Sequence, residues 1–183
     1  MTSDKKVERL KLVFSNVNDW LKFAEAKNSL IIGFNAASIF GLVQLLDKAK
    51  PSIILLVFLY LIIFILIVSA ITAMISFLPK LKIKEKKKNS KPKANPNLVP
   101  NYLFYEHLKD RTEIEIINEI CGTSVIDTEK FELDIANQIR INSMIASMKL
   151  HSFKRAIWLT LLAYSLIPVF LIFYTRLLIC SCK

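Results

Sequence analysis

The chain has 183 residues, 54% of them hydrophobic, yet carries 25 Lys and Arg against 15 Asp and Glu, a combination foreign to a single soluble domain. The apolar residues are clustered: 29–46 holds no charge in 18 positions, 52–78 none in 27 and 156–175 none in 20. About 20 apolar residues at about 1.5 Å each cross a hydrocarbon core of roughly 30 Å, and no backbone group can go unpaired there. The expected fold is therefore all-α: an integral membrane protein with three transmembrane helices and a small helical cytoplasmic module.

In chain order, residues 1–28 read as a cytoplasmic amphipathic helix. Val7, Leu10, Phe14, Val17, Leu21 and Ala24 follow one another at alternating steps of three and four, the seam that packs one helix lengthwise on another. The alternative is a helix lying flat on headgroups, which Lys5, Lys6, Arg9 and Lys11 would support. No Gly or Pro interrupts between Ser3 and Ile32, so this helix is expected to run straight into the span 29–46. That span is diluted by Asn35, Ser38 and Gln44, which leaves a re-entrant or buried helix as the other reading. Residues 1–27 are charged throughout and lack a signal-peptide pattern, so the span is expected to be retained as an anchor.

The second span, 52–78, is the most apolar. Residues 79–155 form a cytoplasmic region, opening with a Lys-rich linker at 80–100 that holds eight lysines and three prolines against one acid. A disordered tether drawn to anionic lipid accounts for that composition, whereas nucleic-acid binding would call for interleaved aromatics, so no nucleic-acid partner is expected. A helical module at 101–155 follows, with Tyr102–Lys109 and Glu113–Ile120 as short helices, a stop at Cys121–Gly122, and a longer helix capped by Asp127 or Thr128. Phe131, Ile135, Ile139, Ile145 and Met148 mark its apolar side before it feeds into the third span, 156–175, and a short outer tail, 176–183.

Positive charge sets the orientation, because Lys and Arg near span ends stay on the cytoplasmic side. Residues 1–28 and the 15 Lys and Arg of 79–155 belong inside, while Asp47–Pro51 and the tail face outside. A multi-pass protein of the cell inner membrane with its N-terminus in the cytoplasm satisfies these constraints. Cys180 and Cys182 stand too close in sequence for an easy mutual disulfide.

No catalytic or metal constellation stands out, and neither an enzyme nor a cofactor is expected. His107 and His151 lack ligand spacing, and the glycines Gly33, Gly41 and Gly122 form no phosphate loop. The informative residues lie in the membrane. Gly33, Ala37 and Gly41 recur every four residues and offer a flat side for close helix approach, while Asn28, Asn35 and Ser38 occupy the opposite side. Ser69, Thr72 and Ser76 add hydroxyls at helical spacing on the second span. Two readings are open: interhelical hydrogen bonding, or a polar pathway that needs several copies, hence a homo-oligomer.

Asn18-Asp19-Trp20-Leu21-Lys22-Phe23-Ala24-Glu25-Ala26-Lys27-Asn28, running unbroken into an apolar span, resembles the membrane effectors of Pycsar, a bacterial anti-phage system. Asn101-Tyr102-Leu103-Phe104-Tyr105-Glu106-His107 is similar to a second block of that family, and the helix 135–150 leading through Lys149, Phe153 and Lys154 into a final span is similar to a third. Glu106-His107-Leu108-Lys109 is more polar than the family pattern. The resemblance implies a partner cyclase whose cyclic pyrimidine mononucleotide, cUMP or cCMP, activates this protein to impair the membrane and abort infection. A stacking ring and a cation for the phosphate are then required, and Tyr102, Phe104, His107, Arg111 and Arg140 are the candidates. Competing readings are a non-catalytic membrane-anchored scaffold and a membrane effector of a cyclic-oligonucleotide defence system.

Overall fold

The computed structural model describes residues 3–49, 52–78, 101–122 and 129–181. The linker 80–100 and the expected caps Asp127 and Thr128 lie outside the described residues. Within them the chain is helical: α1 (Ser3–Ala49), α2 (Ile53–Met74) ending in a 3-10 turn (Ile75–Phe77), α3 (Tyr105–Leu108), α4 (Glu113–Cys121) and α5 (Lys130–Ser181). Three helices are long and apolar enough to cross a membrane, within Ser3–Asp47, Ile53–Phe77 and Lys130–Arg176. The chain divides into two compact units, 1–25 with 79–150 and 26–78 with 151–183.

The first unit packs the start of α1 against α3, α4 and the start of α5. Its core is Leu10, Val13 and Val17 from α1, Leu108 from α3, Ile116, Ile117 and Cys121 from α4, and Ala136 and Ile139 from α5. Polar pairs set the direction of the two long helices: Ser3 with Glu129, Asn18 with Asn142 and Glu25 with Lys149 stand 126, 124 and 124 residues apart. A near-constant separation means that α1 and α5 run parallel here. The seam of α1 is close to the one expected but turned: Leu10, Val17 and Ala24 are buried, while Val13 is buried where Phe14 was expected and Lys6 where Val7 was. On α5 the turn is larger. Phe131 is exposed and the buried row is Glu132, Ala136, Ile139, Ser143 and Ala146, which keeps the expected Ile139 and adds three small side chains that let parallel helices approach closely.

Helix α4 begins where Thr112 and Glu115 form a reciprocal capping box: the Thr112 hydroxyl accepts from the Glu115 N–H at 3.3 Å, and the Glu115 carboxylate accepts from the Thr112 N–H at 2.8 Å. It stops at Gly122, whose φ of 66° is left-handed backbone that glycine adopts without a Cβ penalty. The expected helix over Tyr102–Lys109 shrinks to one turn, Tyr105–Leu108. Asn101 accounts for this, since its side-chain oxygen takes the Leu103 N–H at 3.0 Å and holds an extended turn before it.

The second unit holds the apolar lengths of α1, α2 and α5. Asn35 with Thr160 and Ser38 with Tyr164 keep the separations 125 and 126, so α1 and α5 are again parallel. Ser52 meets Tyr174, Phe58 stacks on Phe170 at 3.8 Å and Ser69 meets Thr160, so α2 runs antiparallel to α5. Ala73 and Ala156 with Ile31, and Ile62, Leu66 and Ala163, fill the interior. Large apolar side chains such as Leu30, Phe64, Trp158 and Ile172 are left on the outside, as a lipid solvent requires. Pro168 sits inside α5, a break that membrane helices tolerate.

Candidate functional site

At membrane depth, each long helix contributes one side chain to a closed polar ring. Asn35 of α1 donates through Nδ2 to the Ser69 hydroxyl of α2 at 2.9 Å, and the Thr160 hydroxyl of α5 donates to Asn35 Oδ1 at 3.0 Å. Ser69 in turn donates to the Ala156 carbonyl at 2.7 Å and lies 2.9 Å from Thr160. Asn35 and Ser69 are fully buried and Thr160 nearly so. Mutual bonding is what permits an amide and two hydroxyls to sit among Ile and Leu side chains, where an unmet polar group would cost several kcal/mol.

The remaining polar residues of the two spans behave differently. Thr72 and Ser76 donate to carbonyls of their own helix at 2.8 and 2.7 Å, Ser38 bonds the Phe34 carbonyl at 2.7 Å and also meets Tyr164, and Asn28 is buried. Beside the ring, Ser38, Gly41, Leu42, Ile62, Leu66 and Tyr164 surround a mostly apolar cavity of about 170 Å³. Gly33, Ala37 and Gly41 do not draw α2 or α5 closer: all three are exposed, and a Cβ at Gly33 or Gly41 would meet nothing within 4 Å.

In the first unit, Trp20 lies against Phe104 and Tyr105 with ring centroids 5.7 and 5.2 Å away. His107 stands edge-on to Phe104 at 5.5 Å, and its Nδ1 accepts the Asn101 N–H at 2.9 Å. Asn101 and His107 thus close the turn that presents Phe104 to Trp20. Burial pushes the Tyr105 hydroxyl above its usual pKa, with the Glu106 charge adding to it. Glu106 pairs with Lys109 and accepts from Ser147 at 3.1 Å, which ties the turn to α5. Phe104 and His107 therefore have neighbours of their own, apart from the other candidate ligand residues.

Arg111 pairs with Glu119 at 3.2 Å, and Arg140 with Glu113 at 2.8 Å. Tyr102 lies elsewhere, in an open cleft of about 300 Å³ that it shares with Arg9 and Leu12 of α1, Leu103, and Glu119 and Ile120 of α4. Burial raises the Glu119 carboxyl's pKa, Arg111 opposes the shift and Glu115 adds to it. Burial likewise raises the Cys121 thiol, Glu132 reinforcing the effect and Lys6 and Arg9 opposing it. Among the described residues no group of His, Cys, Asp and Glu could hold a metal ion.

Sequence reasoning missed Thr160, Arg9 and Glu119. Thr160 carried a signal, being the first hydroxyl of an apolar span, whereas Arg9 and Glu119 are ordinary charges until the fold sets both along one cleft.

The blocks that looked alike in sequence also meet in space: Trp20 packs on Phe104 and Tyr105, Asn18 accepts from Asn142 at 2.7 Å and Glu25 from Lys149 at 2.9 Å. No curated protein and no solved structure matches the chain. A family model described as the Pycsar effector protein domain matches residues 9–176, nearly the whole chain, and the protein belongs to that family of anti-phage membrane effectors.

Proposed function

We propose that this protein is a non-catalytic effector that sits in the inner membrane, senses a cyclic pyrimidine mononucleotide made by a partner cyclase, and responds by impairing the membrane to abort infection. The observation that carries the reading is the Asn35, Ser69 and Thr160 ring. Its amide and two hydroxyls tie all three long helices together in the bundle interior, where they are the polar groups available to line a path once the helices repack. With the ring closed, three spans enclose no channel. Activation therefore means a second packing in which these groups face water, and a ligand reaches it only through its higher affinity for that packing, across a gap of a few kcal/mol.

Helix α1 is common to both units, giving Leu10, Val13 and Val17 to one core and Asn35 to the ring. A shift of its first turns on binding is how the signal reaches the membrane. The exposed Gly33, Ala37 and Gly41 face suits a second copy of the chain, since small residues let helix backbones approach in lipid.

The ligand claim is tested by calorimetry on the detergent-purified chain, which should bind cUMP or cCMP; binding of neither refutes direct sensing. Orientation is tested by reporters that work only outside the membrane. A fusion after Lys183 should be active and a fusion at Asn95 silent, and activity at Asn95 would put the sensing unit on the wrong side.

A further inference from the structure

The cleft beside Tyr102 has the chemistry of a site for a small monoanion that carries one planar ring. Arg9 projects from α1 at its edge, exposed and with no carboxylate at ion-pair distance among the described residues. The carboxylate that lines the cleft with it, Glu119, pairs with Arg111 at 3.2 Å, so among the described residues the cleft holds one positive charge without a carboxylate at ion-pair distance. Leu12 and Leu103, 64% and 48% exposed, and the ring of Tyr102 form apolar walls that a globular surface would otherwise cover. Such walls accept an aromatic ring by stacking, and Glu119 can accept a hydrogen bond from an N–H on the ring's edge. At about 300 Å³ the open cleft lies at the low end of the roughly 300–1,000 Å³ usual for small-molecule sites, room for a mononucleotide.

We propose that this cleft is the sensing site: the phosphate of a cyclic pyrimidine mononucleotide pairs with Arg9, its base lies on Tyr102 between Leu12 and Leu103, and Glu119 accepts from the base edge. The inference rests on the function proposed above, and it gives α1 a direct part in binding. Of the five candidates drawn from the sequence, only Tyr102 lines the cleft and Arg111 acts through Glu119; Phe104, His107 and Arg140 serve the fold.

The test is calorimetry with cUMP and cCMP on the full-length detergent-purified protein and on Arg9→Gln, Tyr102→Leu, Leu12→Trp and Lys11→Gln. Arg9, Leu12 and Lys11 are exposed, so these variants should keep the parent's melting temperature. The parent should bind one nucleotide, Arg9→Gln and Tyr102→Leu should each weaken it tenfold or more, Leu12→Trp should block it, and Lys11→Gln should bind like the parent. If the parent binds neither nucleotide, the functional reading and the site fall together. If the parent binds and Arg9→Gln and Leu12→Trp bind equally well, the site is elsewhere and direct sensing stands. An equal loss in Arg9→Gln and Lys11→Gln would reduce the effect to general surface charge and overturn the assignment.

Discussion

Asn35→Leu is expected to insert in the membrane as well as the parent and to lose ligand-dependent depolarisation. Leucine is more favourable than an amide at the centre of a span, and interhelical hydrogen bonds in membranes are each worth only about 0.6 kcal/mol on average, so the bundle should survive. What disappears is the amide that bonds both Ser69 and Thr160, and with it the polar lining of the active packing. Gly33→Leu is its counterpart on the outer side of α1. A Cβ there meets nothing within 4 Å in one chain, so a loss of depolarisation at an unchanged melting temperature reports a contact with a second copy. Dye measurements of membrane potential in cells making the cyclase product check both. Full depolarisation by Asn35→Leu would leave the ring a packing device, and a leak without ligand would make it a lock instead of a pathway.

The second large effect is on the sensing unit. Leu10 is fully buried against α3, α4 and α5, so Leu10→Ala should cost about 2–5 kcal/mol through lost burial and a residual cavity. Cys121 belongs to the same core, the residue being 5% exposed and its thiol pKa raised by burial, so alkylation has to wait for that core to open. With each 1.4 kcal/mol worth a factor of ten, a cost of about 3 kcal/mol should speed labelling of Cys121 about a hundredfold. Leu12→Ala, at an exposed position on the same helix, should leave the rate within threefold. Mass spectrometry locates the label. Unchanged labelling in Leu10→Ala would mean that α1 is not part of this core.

Much of the architecture could be read before any coordinates, because spans, caps and a heptad seam are local patterns. The three apolar stretches, the stop at Gly122 and the passage of α1 into its span all come from composition and spacing. What failed was rotation about a helix axis. Val13 is buried in place of Phe14, Lys6 in place of Val7, and Glu132, Ala136 and Ser143 in place of Phe131 and Ile145, a rotation chosen by the partner helix. The same blindness affects the functional residues. A sequence shows that Asn35 and Ser69 are polar at membrane depth, but Thr160 completes the ring only across 91 and 125 residues of chain. The partners of the candidate ligand residues were equally hidden: His107 Nδ1 accepts the Asn101 N–H and Arg140 pairs with Glu113, contacts that only the fold makes.

Purified protein in vesicles carrying a potassium diffusion potential gives the most direct measurement, because only lipid, protein and nucleotide are present. Addition of cUMP or cCMP to the side exposing residues 101–122 should collapse the potential within seconds to minutes, and empty vesicles or a linear nucleotide should not. A potential that holds at saturating concentrations of both cyclic nucleotides, in vesicles shown to contain the inserted protein, would contradict a ligand-gated action on the membrane.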